Sequence, residues 1–402
     1  MSLPVAILGG GPVALEAALA LAESDRPFVL FESGGRVGSH VRDWGHVRLF
    51  TPWSMNVSPR ARAALEDAGV DVPGGDDCPT GYELASSLLD PIAALPTVAP
   101  NVRTGTRVVA VTRDGVLKNH EIGTGARADV PFRILVRDDA GQERVELASA
   151  VLDCTGTWGH PNALGSGGIP APGEGPAAHR ITRSIPDFDD EAVRSEWAGA
   201  RILLVGAGHS AQTAAVALAA LAREQPDTKM TWVIRSSDPD FSADPSDPLP
   251  ARRALHEEAR ALADGGNSPF DVRRGRSIEG IEETDDGLRV HLAEGESIEV
   301  DQVLSLTGSV GDASLYRQLQ VHECYATSGP MNLAAALLSS SSADCLDQVS
   351  HGADTLRNPE PDFYILGSKS YGRNNTFLLR VGWEQVDDVL SLLPEPAIAE
   401  SI

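Results

Sequence analysis

Short apolar runs bounded by glycine alternate with alanine- and leucine-rich stretches along the chain. Val5-Ala6-Ile7-Leu8 predicts a buried strand, Gly9-Gly10-Gly11-Pro12-Val13-Ala14 breaks it, and a helix follows to about Glu23. Pro27-Phe28-Val29-Leu30-Phe31 predicts the next strand, ending at Glu32. A strand, glycine turn, helix and strand in ~30 residues belong to a parallel α/β sheet. The same order returns two hundred residues later. Arg201-Ile202-Leu203-Leu204-Val205 is a strand, Gly206-Ala207-Gly208-His209-Ser210-Ala211 a turn, residues 212–223 a helix, and Met230-Thr231-Trp232-Val233-Ile234 a strand.

Between the two units the period changes. Residues 101–152 predict a β-meander with strands at Arg107–Val111 and Phe132–Val136 and a turn at Asp138–Gly141. Val151-Leu152-Asp153-Cys154-Thr155-Gly156 closes it, and Gln302-Val303-Leu304-Ser305-Leu306-Thr307-Gly308 repeats that pattern after the second unit. The two Thr-Gly steps are expected to mark crossings between a discontinuous outer domain, 1–156 and 302–402, and an inserted inner one, 157–301. Residues 161–176 and 236–250, rich in Gly, Pro, Ser and Asp, read as loops.

Both glycine turns match G-x-G-x-x-A, at Gly9, Gly11 and Ala14 and at Gly206, Gly208 and Ala211. The first glycine permits a tight turn, the second lets a pyrophosphate approach the backbone, and the alanine keeps the helix close to the strand. The helix N-terminus then offers unsatisfied N–H groups and partial positive charge to the phosphates. At the end of the second strand, Glu32 with Ser33 beside it suits a free ribose 2′-hydroxyl. In the second unit Arg235-Ser236-Ser237 occupies that place, with Ser210 at the helix start; arginine and hydroxyls suit a ribose 2′-phosphate, which points to NADP(H).

Composition narrows the field. With 402 residues, 42% hydrophobic and 22% charged, the chain has room for two cores. Its 33 basic against 57 acidic residues give a net charge of −24, which argues against a nucleic-acid or anionic-membrane surface. No apolar run reaches the ~20 residues of a bilayer span. The four cysteines, at 78, 154, 324 and 345, show neither C-x-x-C nor zinc spacing, so no metal site is expected. A soluble, cytoplasmic protein is the expectation.

On these residues the chain resembles flavoproteins with two dinucleotide-binding domains, and among them the flavin-containing (class B) monooxygenases. The resemblance rests on the Gly9-to-Glu32 unit, the Asp153-to-Thr157 turn, the Gly206-to-Arg235 unit, the Leu306-Thr307-Gly308 turn and the strand Tyr364-Ile365-Leu366-Gly367. It implies an α/β fold of two nested Rossmann-type domains, FAD in the discontinuous one and NADPH in the inserted one. It also implies that Val108 meets the adenine, that Thr155 and Gly156 lie along the flavin, and that Gly367 and Ser368 approach the ribityl chain. Trp44-Gly45-His46-Val47-Arg48 falls where such proteins wrap the flavin, so Trp44 and Arg48 become cofactor candidates and His46 a catalytic one. Two departures stand out. Ser368 takes a position usually held by aspartate, and of the fingerprint F-x-G-x-x-x-H-[ST]-x-x-[WYF] only Gly175 and His179 match, with Gly173, Arg180 and Arg183 elsewhere in it.

The resemblance implies an NADPH-dependent FAD oxidoreductase that oxidises a small nucleophile at nitrogen, sulfur or a metalloid through a flavin hydroperoxide, with molecular oxygen as co-substrate. A second expectation is a flavin reductase for a disulfide, quinone or protein acceptor, and a third is a non-catalytic dinucleotide sensor. Cys324, beside His322 and Glu323, and Cys345 are the thiols that disulfide or metalloid chemistry would use if the fold joined them; buried, inert cysteine is the alternative. Oligomeric state is open, a homodimer being one option.

Overall fold

Val5–Leu8 becomes the middle strand of a five-stranded parallel sheet, all four of its residues buried. Its neighbours are Phe28–Phe31 and Ala150–Asp153, with Leu8 level with Phe31 and with Asp153. Val102–Arg103 and Phe363–Ile365 complete the edges. A parallel strand covered on both faces has no solvent side, which is why these segments read as unbroken apolar runs. Helices Pro12–Glu23 and Leu379–Leu390 share one core cluster through Leu15, Ala18, Val381 and Val386. Phe132, Ile134 and Val136 of the antiparallel meander form the other with Ala6, Leu8 and Phe363. The meander is Thr106–Arg113, Phe132–Asp138 and Glu143–Ala148.

This is a computed structural model, and it describes residues 3–239, 241, 247–265, 268–339 and 350–393. The chain divides into two compact units, Met1–His160 with Val310–Ile402, and Pro161–Ser309. The second unit repeats the plan. Arg201–Val205 is the middle of a five-stranded parallel sheet, flanked by Lys229–Ile234 and Gln302–Ser305, with Phe270–Arg274 and Ile181–Thr182 outside them. A separate antiparallel sheet, Ile278–Thr284, Gly287–Leu292 and Ser297–Val300, also belongs to it and has no counterpart in the sequence expectations. Among the described residues no helix is long and apolar enough to cross a membrane.

Two expectations are corrected. Val151–Asp153, expected to close the meander, pairs in parallel with Val5–Leu8 and lies inside the main sheet. Its residues are buried on both faces, which a meander edge would not give. Gln302–Ser305, expected to open the second part of the outer domain, belongs to the inner unit, because its two ladder partners, Arg201–Val205 and Ile181–Thr182, are there. The insert therefore runs 161–309 where 157–301 was expected.

Candidate functional site

Each glycine motif sits at the carboxyl end of the middle strand of its own sheet, where open α/β sheets bind ligands. Gly9 has φ +95°, and a Cβ there would lie 2.7 Å from the Cys154 carbonyl oxygen. Gly206 repeats this at φ +131°, with 2.2 Å to the Leu306 carbonyl. In both units the first glycine thus packs on the strand that leads into a Thr-Gly step. At Gly11 and Gly208 the opposite holds: a Cβ would meet no atom within 4 Å. These second glycines face open space, as a cradle for a bulky phosphate requires. Ala14 and Ala211 are fully buried at the helix–strand contact.

In the first unit this open space is a cavity of about 460 Å³. Gly9, Gly11, Glu32, Ser33, Trp44, Val108, Thr155, Gly156, Gly367 and Ser368 all line it, so ten of the sequence candidates converge. The Glu32 carboxylate is buried and anchored at both oxygens, Oε2 accepting from the Gly10 amide at 2.7 Å and Oε1 from the Gly34 amide at 2.6 Å. A carboxylate oxygen has a second lone-pair site, so Glu32 keeps acceptor capacity for a sugar hydroxyl.

Thr155 joins the cavity wall to the protein behind it. Its hydroxyl donates to Asp153 Oδ1 at 2.7 Å and accepts from Lys369 Nζ at 3.1 Å, so that hydroxyl is engaged on the protein side. Cys154 lies between Asp153 and Thr155 and lines the cavity. Burial pushes its thiol well above the ordinary range, Asp153 adding to the effect and Lys369 opposing it. A thiol held in its protonated form is a poor nucleophile, since the thiolate is the reactive species.

The remaining first-unit candidates lie apart from the lining. His46 is outside it, its Nε2 buried without a hydrogen-bond partner among the described residues. The Arg48 guanidinium is mostly exposed, contacting the Cys78 carbonyl, with Glu83 at 3.9 Å. Cys324 sits in a turn closed by the Ser328 amide on its carbonyl at 2.7 Å, where the Thr327 amide and hydroxyl and the Ala326 amide hold its thiol below the usual range. It is not among the lining residues, and Cys345 lies outside the described residues.

The cavity also holds residues the sequence had not singled out. His40, Trp158, His160, Asp312 and Phe377 line it. His160 and Asp312 stand four residues beyond Gly156 and Gly308, the glycines of the two Thr-Gly steps, a symmetry visible in the sequence. His160 Nε2 is 3.5 Å from Asp312 Oδ2, and the Val310 amide donates to the His160 carbonyl at 3.1 Å. Burial would raise the Asp312 carboxyl. Hydrogen bonds from the Ser314 hydroxyl and amide, with His160 and Lys369 nearby, outweigh it and hold the group below the usual carboxylate range.

In the second unit, Gly206, Gly208, Ser210 and Ala211 form the turn and first residues of helix His209–Glu224. Arg235 and Ser236 are exposed just beyond strand Lys229–Ile234. The neighbouring strand adds to them: Ile234 is level with Arg274, and the Gly275 amide donates to the Ser236 carbonyl at 3.1 Å. Arg274 and Arg276 lie at the end of that neighbouring strand, Arg274 contacting Asp264 and Arg276 contacting Glu294 at 2.9 Å. The His209 ring lies 5.1 Å from that of His256, tilted by 35°, and His256 Nδ1 is 2.7 Å from Gln212 Oε1.

Residues 3–325 match the pyridine nucleotide-disulphide oxidoreductase family. The chain belongs to that family. FAD and NAD(P)H are the family's cofactors, and the two glycine cradles fit them, because each presents an open second glycine at a helix start. Comparison with curated sequences finds no significant match. Among solved structures, a bacillithiol disulfide reductase from Bacillus cereus aligns with TM-score 0.71 and 18% identity, over 98% of this chain and 99% of that one. An ornithine hydroxylase from Pseudomonas aeruginosa aligns with TM-score 0.60 and 16% identity, over 98% and 99%. A thioredoxin reductase from T. acidophilum gives 0.58 and 16%, over 98% and 98%. At these identities the likeness establishes the α/β fold shared by members of the family and leaves the reaction to the site.

Proposed function

We propose that this oxidoreductase takes its electrons from NADPH, holds FAD in the first unit and NADPH in the second, and monooxygenates a small nucleophilic substrate. The observation that carries the reading is the first-unit cavity itself. It combines an open glycine cradle and an anchored ribose acceptor with a histidine–carboxylate pair, while the cysteine in its wall is a poor nucleophile. A disulfide reductase, the activity of the Bacillus cereus relative, passes electrons to sulfur at the flavin. Among the described residues, this cavity offers it no reactive thiol.

Bound FAD would supply the hydride acceptor and the centre at which oxygen is activated. The chain's own residues do the rest. The backbone around Gly9 and Gly11 and the start of helix Pro12–Glu23 hold the pyrophosphate, and Glu32 accepts from the ribose. Trp44, Trp158 and Phe377 supply apolar wall that keeps water out. Asp312 stands 3.5 Å from His160 Nε2, and the two place polar groups at the rim of the cavity. In the second unit Arg235, with Ser236, holds the 2′-phosphate of NADPH. The reaction balances as NADPH, a proton, oxygen and substrate giving NADP⁺, water and oxygenated substrate.

The test is NADPH oxidation by the purified holoenzyme in air and under argon, with thioanisole, n-hexylamine or cystine. Oxidation stimulated by the thioether or the amine in air and abolished under argon is the expected result. Sustained NADPH oxidation with cystine under argon would make the chain a disulfide reductase.

A further inference from the structure

Behind the cavity wall lies a charge pair that the proposed reaction does not use. Asp153, the last residue of strand Ala150–Asp153, is 0% exposed, and Lys369 is 3% exposed. Lys369 Nζ donates to Asp153 Oδ2 at 2.6 Å and to Thr155 Oγ1 at 3.1 Å. The other carboxylate oxygen accepts from the Thr155 hydroxyl at 2.7 Å and the Thr155 amide at 3.2 Å. The ammonium also stands 5.0 Å from the centroid of the buried Tyr316 ring, whose hydroxyl donates to Glu323 at 2.6 Å. Gly311 packs on the lysine stem so closely that a Cβ there would be 2.4 Å from Lys369 Cγ.

Lys369 thereby touches or adjoins three parts of the cavity wall: Thr155–Gly156 through its hydrogen bonds, Gly367–Ser368 through the chain, and Asp312 through Gly311. Stability alone explains such a pair poorly. Replacing a buried ion pair by apolar groups of like volume is often neutral or stabilising, so its use has to be sought in what it positions. In a low-dielectric interior its charges also act over longer distances than at the surface.

We propose that Lys369 and Asp153 form a positioning and electrostatic device for the flavin nucleotide, fixing the Thr155 and Gly367 edges of the cradle and biasing the reduction potential of the bound ring. This rests on the reading that the first-unit cavity holds FAD. Positive charge near the ring favours electron uptake and negative charge opposes it. The two halves of the pair therefore act in opposite directions, whatever the shared effect of disturbing the wall.

The experiment measures the flavin midpoint potential, FAD dissociation constant and unfolding midpoint of the holoenzyme and its variants. Lys369→Met is expected to lower the potential and Asp153→Asn to raise it. The neutral double variant is expected to return toward the wild-type potential while binding FAD about ten-fold more weakly, because the Thr155 hydroxyl has lost its lysine donor and its charged acceptor. Single-variant shifts of the same sign, or none, overturn the proposal. Should a single variant fail to fold, the double variant decides: wild-type FAD affinity, or weakened affinity with a lowered unfolding midpoint, overturns the proposal, and weakened affinity with an unchanged midpoint supports it. Gly11→Leu is the control for the site itself. If that variant retains FAD with wild-type affinity, the placement of FAD fails separately from the charge pair.

Discussion

Glu32 shows how one side chain joins fold and site. Its carboxylate ties the Gly10 and Gly34 amides together and still faces the cavity. Glu32→Gln turns one acceptor into a donor facing an amide, and a lost hydrogen bond to a charged group costs roughly 1.5–3 kcal/mol. FAD affinity should fall ~10–150-fold, read from flavin retained in equilibrium dialysis. Unchanged retention would remove Glu32 from the nucleotide site. His209 gives a residue-scale prediction about pH. Burial, with His256 and Arg252 close by, pushes its imidazole down to about 4 from 6.5, with Asp247 opposing. The unfolded chain therefore binds this proton below about pH 6.5 while the folded chain does not until about 4. Its stability contribution is complete above that window and is lost as pH falls through it. The unfolding midpoint of His209→Gln should depend less steeply on pH there than that of the wild type. Equal slopes would contradict the assigned environment.

At the scale of elements, the two strand–glycine–helix–strand units were legible because tight turns, helix proximity and buried strands each demand particular residues at fixed spacing. Ten cavity residues followed from those motifs and the family they resemble. The assignment of Gln302–Ser305 was not legible, since a buried apolar strand carries no mark of which sheet it joins. His160 and Asp312 were missed for a related reason: they are separated by the whole inner unit and meet only when both crossings lie side by side. His46 and Arg48 were proposed from their nearness in sequence to Trp44, but the short helix Ser39–Asp43 and the turn after it direct only Trp44 of the three to the cavity. In the second unit Arg274 and Arg276 come at the end of the strand beside the one that leads to Arg235, with Asp264 and Glu294 as their carboxylate partners. Arg235→Ala should raise the KM for NADPH ~10–150-fold more than for NADH, the cost of one charge-assisted contact. Steady-state kinetics with both coenzymes check it, and equal changes would make Arg235 structural.

For the whole molecule, the proposed reaction takes electrons from a nicotinamide nucleotide in one unit to a flavin nucleotide in the other and then to oxygen. Family membership establishes the cofactors, and the terminal acceptor is the part of the proposal still to be measured. Isotopic labelling tests the proposed oxygen transfer. Turnover of NADPH and the oxidised substrate, thioanisole or n-hexylamine, under ¹⁸O₂ should place the heavy isotope in the product, one atom per molecule oxygenated. Product formed without ¹⁸O, or oxygen returned only as hydrogen peroxide while a disulfide is reduced, would contradict it.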